Sequence, residues 1–395
     1  MLDKVKRREG VWLDREDCDI EAFRNQVSRE TLRSDYPNAV AVEGNIPIYD
    51  GEALDREFTD EATARAIMAE FHHVFRDGPG IVAVRGGYRD IALVNDVTDL
   101  INALIAEEEA AGTGRGDHFA AAGANSRVWN AHEKLCMRDP VLFARYNANE
   151  ILRRLCEAWL GSGYQITAQV NVVRPGGKAQ SPHRDYHMGF QSFETLTEYP
   201  SAQHALSAML TLQGAVAHTK MPIESGPTKL LPYSQTFLAG YLAVLLPEFA
   251  EYFEQHFVQL PLETGDMLFF NPATFHAAGE NRTSDVQRVA NLMQIGSIYG
   301  RTTELLDRTR ITNAVYPHLL NLLADGVLSR REVDNVVAAS AEAYPFPTNL
   351  DLDPPIGGMA PPSQQDLVRQ ALAENWTASH LADAMVEQNG RKRSH

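Results

Sequence analysis

Apolar positions change their spacing near Tyr164, and that change divides the chain. Upstream the spacing is helical. FTDEATARAIMAEFHHVF carries a capping signal at Thr59-Asp60-Glu61 followed by apolar residues on one helical face, and DIALVNDVTDLINALIAEEEAA repeats that spacing. Between them GPGIVAVRGG reads as turn, short strand, turn. DPVLFARYNANEILRRLCEAWLG reads as one strong amphipathic helix ending at Gly161. GTGRGDHFAAAGANS is a loop long enough to suggest a functional role. From Tyr164 onward the apolar runs are short or alternating: YQITAQVNVVRP, ALSAMLTLQG, GPTKLLP, HFVQLPL, GDMLFF and QRVANLMQIGSIY. Punctuated by Gly, Pro and Asp, they predict a two-sheet barrel or jelly roll, interrupted by one helix over about residues 234 to 255. After Gly300 helical spacing returns in TELLDRTRITNAVYPHLLNLLADG and SRREVDNVVAASAEAY. The extended PFPTNLDLDPPIGGMAPPS then leads to a last helix, QQDLVRQALAENWTASHLADAMVEQ.

The predicted class is therefore mainly β with flanking helices (α+β), with a jelly-roll core from about residue 163. Residues 1–57 read as an irregular N-terminal extension, 58–300 as the main domain, and 301–395 as a helical C-terminal extension with a Pro/Gly-rich arm. The face carrying Leu367, Ala371, Leu372, Trp376 and Leu381 has too little surface to fold alone, so it is expected to dock on its own core or on a second subunit.

Composition narrows the partners. With 395 residues, 44% of them hydrophobic, the chain can bury a large core. A net charge of −16 argues against a phosphate-tracking surface and hence against nucleic acid; Arg391-Lys392-Arg393 reads as a solvated tail. No apolar run reaches spanning length and none follows the basic N-terminal residues, so no membrane partner is expected. Cys18, Cys136 and Cys156 form no C-x-x-C pair, which fits a reducing cytoplasm rather than a disulfide or zinc framework.

Candidate chemistry gathers at His183-Arg184-Asp185. Residues two apart on a strand point the same way, so His183 and Asp185 can reach one metal while Arg184 faces away. His-x-Asp alone is common, but here it follows a strand and a Pro-Gly-Gly turn, and His276 follows another strand, GDMLFFNPATFH. Two imidazoles and one carboxylate on one face of a metal leave the opposite face open, which suits Fe(II) that must bind a cosubstrate and O₂. Arg288 opens the next strand, where a guanidinium can grip a carboxylate such as the distal one of 2-oxoglutarate. Its competitor, Arg282, lies in a turn with Thr283 and Ser284, where solvent exposure is the expectation. The same tripeptide occurs in kinase catalytic loops, but Phe190 stands where such a loop needs its metal-binding Asn. Gly86-Gly87 and Gly176-Gly177 lack phosphate-loop spacing and read as turns.

The ordered set His183-x-Asp185, ESGPTKLLPYSQ and GDMLFFNPATFHAAGENRT with Arg288 resembles the phytanoyl-CoA dioxygenase branch of the Fe(II)/2-oxoglutarate oxygenases over most of residues 60 to 300. Tyr233-Ser234-Gln235 stands where Gly-Ser-His is common, Glu224 near the usual Asn, and the interval from His276 to Arg288 is one residue longer. The resemblance implies that His183, Asp185 and His276 bind Fe(II) and that Arg288 anchors 2-oxoglutarate. It further implies that O₂ is used to hydroxylate a small organic molecule, with release of succinate and CO₂. It makes Gln169, Asn171 and Lys134 candidate cosubstrate contacts, and Thr228 and Met209 candidate pocket liners. Tyr186, His187, Trp129, Asn130 and His132 are candidate substrate contacts. Desaturation, epoxidation and ring closure share the early chemistry and stay open, as does a jelly-roll protein that binds without turnover.

Overall fold

A computed structural model of the chain describes residues 10–112, 125–301 and 303–393. Most of the glycine-rich segment 112–126 therefore lies outside the described residues. The strands are β1 Ala41–Glu43, β2 Ile46–Asp50, β3 Ile81–Arg85, β4 Asn125–Val128, β5 Gln165–Val173, β6 Thr211–Ala217, β7 Lys229–Leu231, β8 Met267–Phe270, β9 Phe275–Ala277 and β10 Arg288–Gly296. Eight make one sheet in the order β1-β2-β3-β8-β6-β10-β5-β4, while β7 pairs with β9. Isolated bridges His183↔His276 and Leu230↔Val258 widen that pair into the smaller second layer of the jelly roll.

Strand alternation assigns each side chain to a face. On β10, Val289, Met293 and Ile295 join the large cluster under the helices, whereas Ala290 and Leu292 join the cluster between the sheets. β3 divides likewise, Val82 and Val84 to the helices and Ile81 and Ala83 to the inter-sheet space. A one-residue slip would exchange the faces, so the apolar pattern fixes the register. Helices Glu61–Arg76, Ile91–Ala110 and Glu150–Leu160 cover the outer face.

Several predicted elements are redrawn. The N-terminal extension is not irregular: it contributes the helix Ile20–Val27, and β1 and β2, which continue the large sheet. β1 and β2 are joined as a two-residue hairpin, with Gly44 and Asn45 both at positive φ (55° and 66°), the backbone that matches strand twist. The helix ending at Gly161 is two, Pro140–Asn147 and Glu150–Leu160, because Asn149 caps the second through Leu152 N–H. ALSAMLTLQG is the end of a helix, Ser201–Met209, followed by β6. HFVQLPL forms only bridges. The helix over 234–255 is a 3₁₀ turn and two helices, Gly240–Ala243 and Pro247–His256, with Pro247 starting the last. The final helix breaks at Asn375, φ 53°, into Gln364–Ala373 and Ala378–Arg391. Arg391 belongs to that helix and pairs with Glu387 at 2.6 Å instead of lying in a free tail.

The C-terminal extension docks on its own chain. Ile311, Val315, Val336, Ala371, Leu372 and Leu381 share the cluster beneath the large sheet, with Leu367 and Trp376 packed at its margin. Buried Arg308 ties it down through the carbonyls of Ile166 at 2.7 Å and Ala339 at 3.2 Å. No described helix is long and apolar enough to cross a membrane.

Candidate active site

After β5 the chain turns at Gly176, φ 82°, and runs back beside β9. His183 N–H donates to His276 O at 3.0 Å, His276 N–H returns the bond at 3.2 Å, and Asp185 N–H donates to Pro272 O at 3.0 Å. This backbone pairing makes three side chains from distant segments converge. Asp185 Oδ2 lies 3.3 Å from His276 Nε2 and 3.9 Å from His183 Nε2, and the candidate ligand atoms all fall within 4.8 Å of one another. Each imidazole directs Nδ1 to a carbonyl, His183 to Ser181 at 2.9 Å and His276 to Thr274 at 2.8 Å. A carbonyl only accepts, so Nδ1 carries the proton and the Nε2 lone pair is left for a metal.

The charge states suit that role. Burial alone would raise the Asp185 carboxyl, but His276, His183 and the Gln213 amide outweigh it and hold it below the usual range. Burial, then the neighbouring His276, pushes His183 down, favouring its neutral form. Gln213 Nε2 donates to Asp185 Oδ2 at 2.9 Å and holds the carboxylate, while Tyr241 Oη donates to the Asp185 backbone carbonyl at 3.1 Å and holds the main chain beneath it.

Arg184 faces the other way, as the spacing predicts. Its guanidinium donates to the carbonyls of Ser234 and Phe237, the latter at 3.0 Å, and lies over the rings of Tyr241 and Phe275. Gly240 has to be glycine here, since a Cβ would sit 2.0 Å from that guanidinium.

The cluster opens into a cavity of about 680 Å³ between the sheets. Arg288 also lines it, only 6% exposed; it donates to Ser225 O at 3.0 Å, and burial pushes its pKa down to about 10. Among the described residues no carboxylate pairs with it. Arg282 is exposed in its turn with its N–H on Glu224 O, and Thr283 bonds Asn281, so of the two arginines Arg288 is the one that lines the cavity. Gln169, Asn171 and Thr228 line the cavity, as do Trp129 and Tyr186.

Other expected contacts are elsewhere. Lys134 is not at the cavity: its Nζ bonds Glu108 at 2.5 Å. Met209 ends a helix and is 48% exposed, so it is no inward strand residue. His187 bonds Arg301 O at 2.6 Å and lies outside the ligand set. Asn130 caps a helix and gives its N–H to Glu304 at 2.7 Å. His132 is buried with Nε2 on Ala339 O at 2.9 Å, its pKa pushed down to about 3 by burial, which makes it a core residue. Gln213, Gln294 and Arg127, which do line the cavity, escaped the sequence reading. For Gln213 and Gln294 the signal was a polar residue at an inward position of a largely apolar strand, as in TLQGAVA and RVANLMQIG; Arg127, on the polar strand NSRV, gave no such signal.

Comparisons with known proteins follow this geometry. Two solved structures are similar over 60% of the chain: the non-haem alpha-ketoglutarate-dependent epimerase SnoN from nogalamycin biosynthesis, and the carbocyclase SnoK from the same biosynthesis. SnoN shows 20% identity, a TM-score of 0.40 and 84% of its own chain covered; SnoK shows 19%, 0.42 and 86%. No curated protein matches the chain. The family model of phytanoyl-CoA dioxygenase (PhyH) matches residues 76–290, more than half the chain, including His183, Asp185, His276 and Arg288. The chain belongs to the phytanoyl-CoA dioxygenase (PhyH) family of 2-oxoglutarate-dependent oxygenases.

Proposed function

We propose that the protein is an Fe(II)- and 2-oxoglutarate-dependent dioxygenase that hydroxylates an unactivated carbon of a small organic molecule. The observation that carries this reading is the Arg288 guanidinium, buried without a carboxylate partner among the described residues and opening into the same cavity as the His183, Asp185 and His276 cluster. An unpaired buried cation is costly, and a carboxylate ligand relieves that cost. Two neutral imidazole nitrogens and one carboxylate oxygen are the donor set of non-haem Fe(II) oxygenases. Iron bound there with 2-oxoglutarate and O₂ supplies the oxidising power, the cosubstrate leaving as succinate and CO₂.

The chain's own residues prepare that site. The carbonyls of Ser181 and Thr274 orient the imidazoles, and Gln213 holds Asp185, so the ligands need little rearrangement. Arg288 offers charge-assisted hydrogen bonds to the distal carboxylate. Ala215, Ala217, Leu268 and Phe270 line the inter-sheet side and keep water from the anchor. The unpaired Cys18, Cys136 and Cys156 support a reducing, cytoplasmic setting.

Anaerobic titration with Fe(II) and 2-oxoglutarate tests the reading. A weak visible charge-transfer band and slow succinate release on admitting air are expected. Absence of both means a jelly-roll protein that binds without turnover. Once a substrate is found, a product heavier by one oxygen assigns hydroxylation or epoxidation, which NMR separates as a new carbinol or an oxirane, and loss of two hydrogens assigns desaturation or ring closure instead.

A further inference from the structure

The cavity lining extends in two directions from the metal ligands. Along β10 it runs to Arg288 at the strand's start, the side read above as the cosubstrate's. The other direction crosses the sheet. Gln213 on β6 holds Asp185, and in the order β6-β10-β5-β4 the lining continues past Gln294 and Gln169 to Arg127 on β4 and Trp129 just beyond it. β4 lies three strand spacings from β6, about 14 Å at about 4.8 Å each. The wall at this far end therefore touches neither the metal nor 2-oxoglutarate. What it meets is the end of the substrate remote from the oxidised carbon.

That wall is held by the C-terminal extension, outside the residues 76–290 that the family model matches. Thr303 lines the cavity; Glu304 is half-buried and is not part of the lining. Glu304 Oε1 accepts the Asn130 N–H at 2.7 Å. Asn130 stands at φ 53° between Trp129 and the helix Ala131–Arg138 and offers that helix no side-chain cap, so Glu304 supplies the acceptor and the negative charge at its N-terminal end. The Ala168 N–H and the Gln169 amide also favour the ionised Glu304, and Gln169 Oε1 in turn accepts from Arg127 Nη1 at 3.2 Å. One carboxylate thus holds both the turn that carries Trp129 and the glutamine that orients Arg127. Its own segment is fixed: the Arg301 carbonyl is bonded to His187 at 2.6 Å, Asp307 N–H donates to Glu133 at 3.2 Å, and Arg308 donates to the Ile166 carbonyl at 2.7 Å.

We propose that Glu304 is a positioning residue for the substrate, through which the C-terminal extension sets the place of Trp129 and Arg127 at the far end of the cavity and so takes part in choosing the molecule that is oxidised. This rests on the oxygenase reading above for what lies at the metal end. Burial raises the Glu304 carboxyl to about 7 against the pull of the Asn130 N–H and of Lys134, with Arg127 and Tyr186 the other titratable groups nearby. Near neutral pH both its forms are therefore populated, and an uncharged oxygen acceptor is a suitable replacement.

The test compares wild type with Glu304→Ala, which removes the acceptor, and Glu304→Gln, which keeps an oxygen for Asn130. Trp129 reports on the wall, its share of the tryptophan emission being the difference between each protein and the same protein carrying Trp129→Phe. In the anaerobic enzyme loaded with Fe(II) and 2-oxoglutarate, acrylamide quenching of that share is expected to rise about twofold or more in Glu304→Ala, as local opening of the turn predicts, and to stay near wild type in Glu304→Gln. The emission left in the Trp129→Phe proteins should quench alike in all three, which separates a moved wall from general loosening. Iron content and the 2-oxoglutarate dependence of the charge-transfer band should match wild type in both variants. Any compound that stimulates succinate release should show a KM raised about tenfold in Glu304→Ala with kcat changed less, as loss of binding remote from the reacting carbon predicts. Unchanged Trp129 quenching in Glu304→Ala overturns the inference. So do equal damage in Glu304→Gln, a rise shared by every tryptophan, weakened 2-oxoglutarate binding, or an unaltered KM. A wild type that forms no band and releases no succinate removes the oxygenase reading itself, while the quenching comparison still decides whether Glu304 holds the wall.

Discussion

Two buried arginines, one behind the metal ligands and one at the cavity, are four strands' worth of sequence apart in role although burial lowers both to a pKa of about 10. Arg184 is enclosed by the chain: two carbonyls accept from its guanidinium, two aromatic rings flank it, and Gly240 is kept without a side chain to admit it. Arg288 has one carbonyl, that of Ser225, and opens into the cavity. The difference teaches that burial of a cation does not by itself mark function. What distinguishes the two arginines is the side from which the cation's hydrogen bonds are completed: from the protein at Arg184, and only in part from the protein at Arg288, which faces the cavity.

The sharpest way to break that comparison is to remove each cation. Arg184→Met should destabilise the fold by about 4 kcal/mol, because two charge-assisted bonds and a close-packed surround are lost together. Urea unfolding reads this directly, and a midpoint close to wild type would mean that Arg184 is not the structural member of the pair. His183→Ala or His276→Ala should leave unfolding near wild type and lower iron affinity by more than the roughly 10–100-fold typical of losing an outer-shell partner. Wild-type iron content in either variant would place the metal elsewhere. Arg288→Met should weaken 2-oxoglutarate by about 3 kcal/mol, roughly 100-fold, while iron is retained and stability changes little. Arg282→Met is the control expected to bind normally; reversed results would move the anchor to Arg282.

The convergence of His183, Asp185 and His276 and the place of Arg288 on the same cavity were legible in the sequence because period-two spacing and strand order are local and survive without coordinates. His183 and Asp185 share a side by arithmetic, and a jelly roll brings β9 beside them. Gln213 was not legible: one glutamine in TLQGAVA looks like any polar strand residue until the fold puts Asp185 2.9 Å away. Lys134 and His132 misled for the converse reason. Their residue types suit a site, but the helix Ala131–Arg138 turns Lys134 to Glu108 and His132 into the core. The N-terminal strands were hidden because β1 and β2 have only three and five residues. Such short runs carry little periodicity, and β2 joins the sheet through pairing with β3, a partner more than thirty positions downstream that local pattern cannot see.

The contrast between groups completed by the protein and groups left for a ligand extends to histidines, and gives the smallest of these effects. On the helix-covered side, His218 places Nδ1 on Thr98 Oγ1 at 2.9 Å and Nε2 on Tyr146 Oη at 2.8 Å, and Asn291 donates to the same phenol at 3.1 Å. Only neutral groups face it, and burial lowers it from 6.5 to about 4. The folded-state pKa is thus below the unfolded one. Above about pH 6.5 both states hold the ring neutral and its contribution is fully present; as pH falls from there towards 4 the unfolded chain takes up a proton that the native state refuses, and stability declines. At pH 5 the loss from His218 alone should be about 2 kcal/mol relative to pH 7.5, at about 1.4 kcal/mol per unit. His218→Gln should be less stable than wild type at pH 7.5 but should lose less on acidification. Urea midpoints for both proteins at the two pH values decide it: equal slopes would show that His218 titrates in the folded protein and that its surroundings are not the closed site the hydrogen bonds describe.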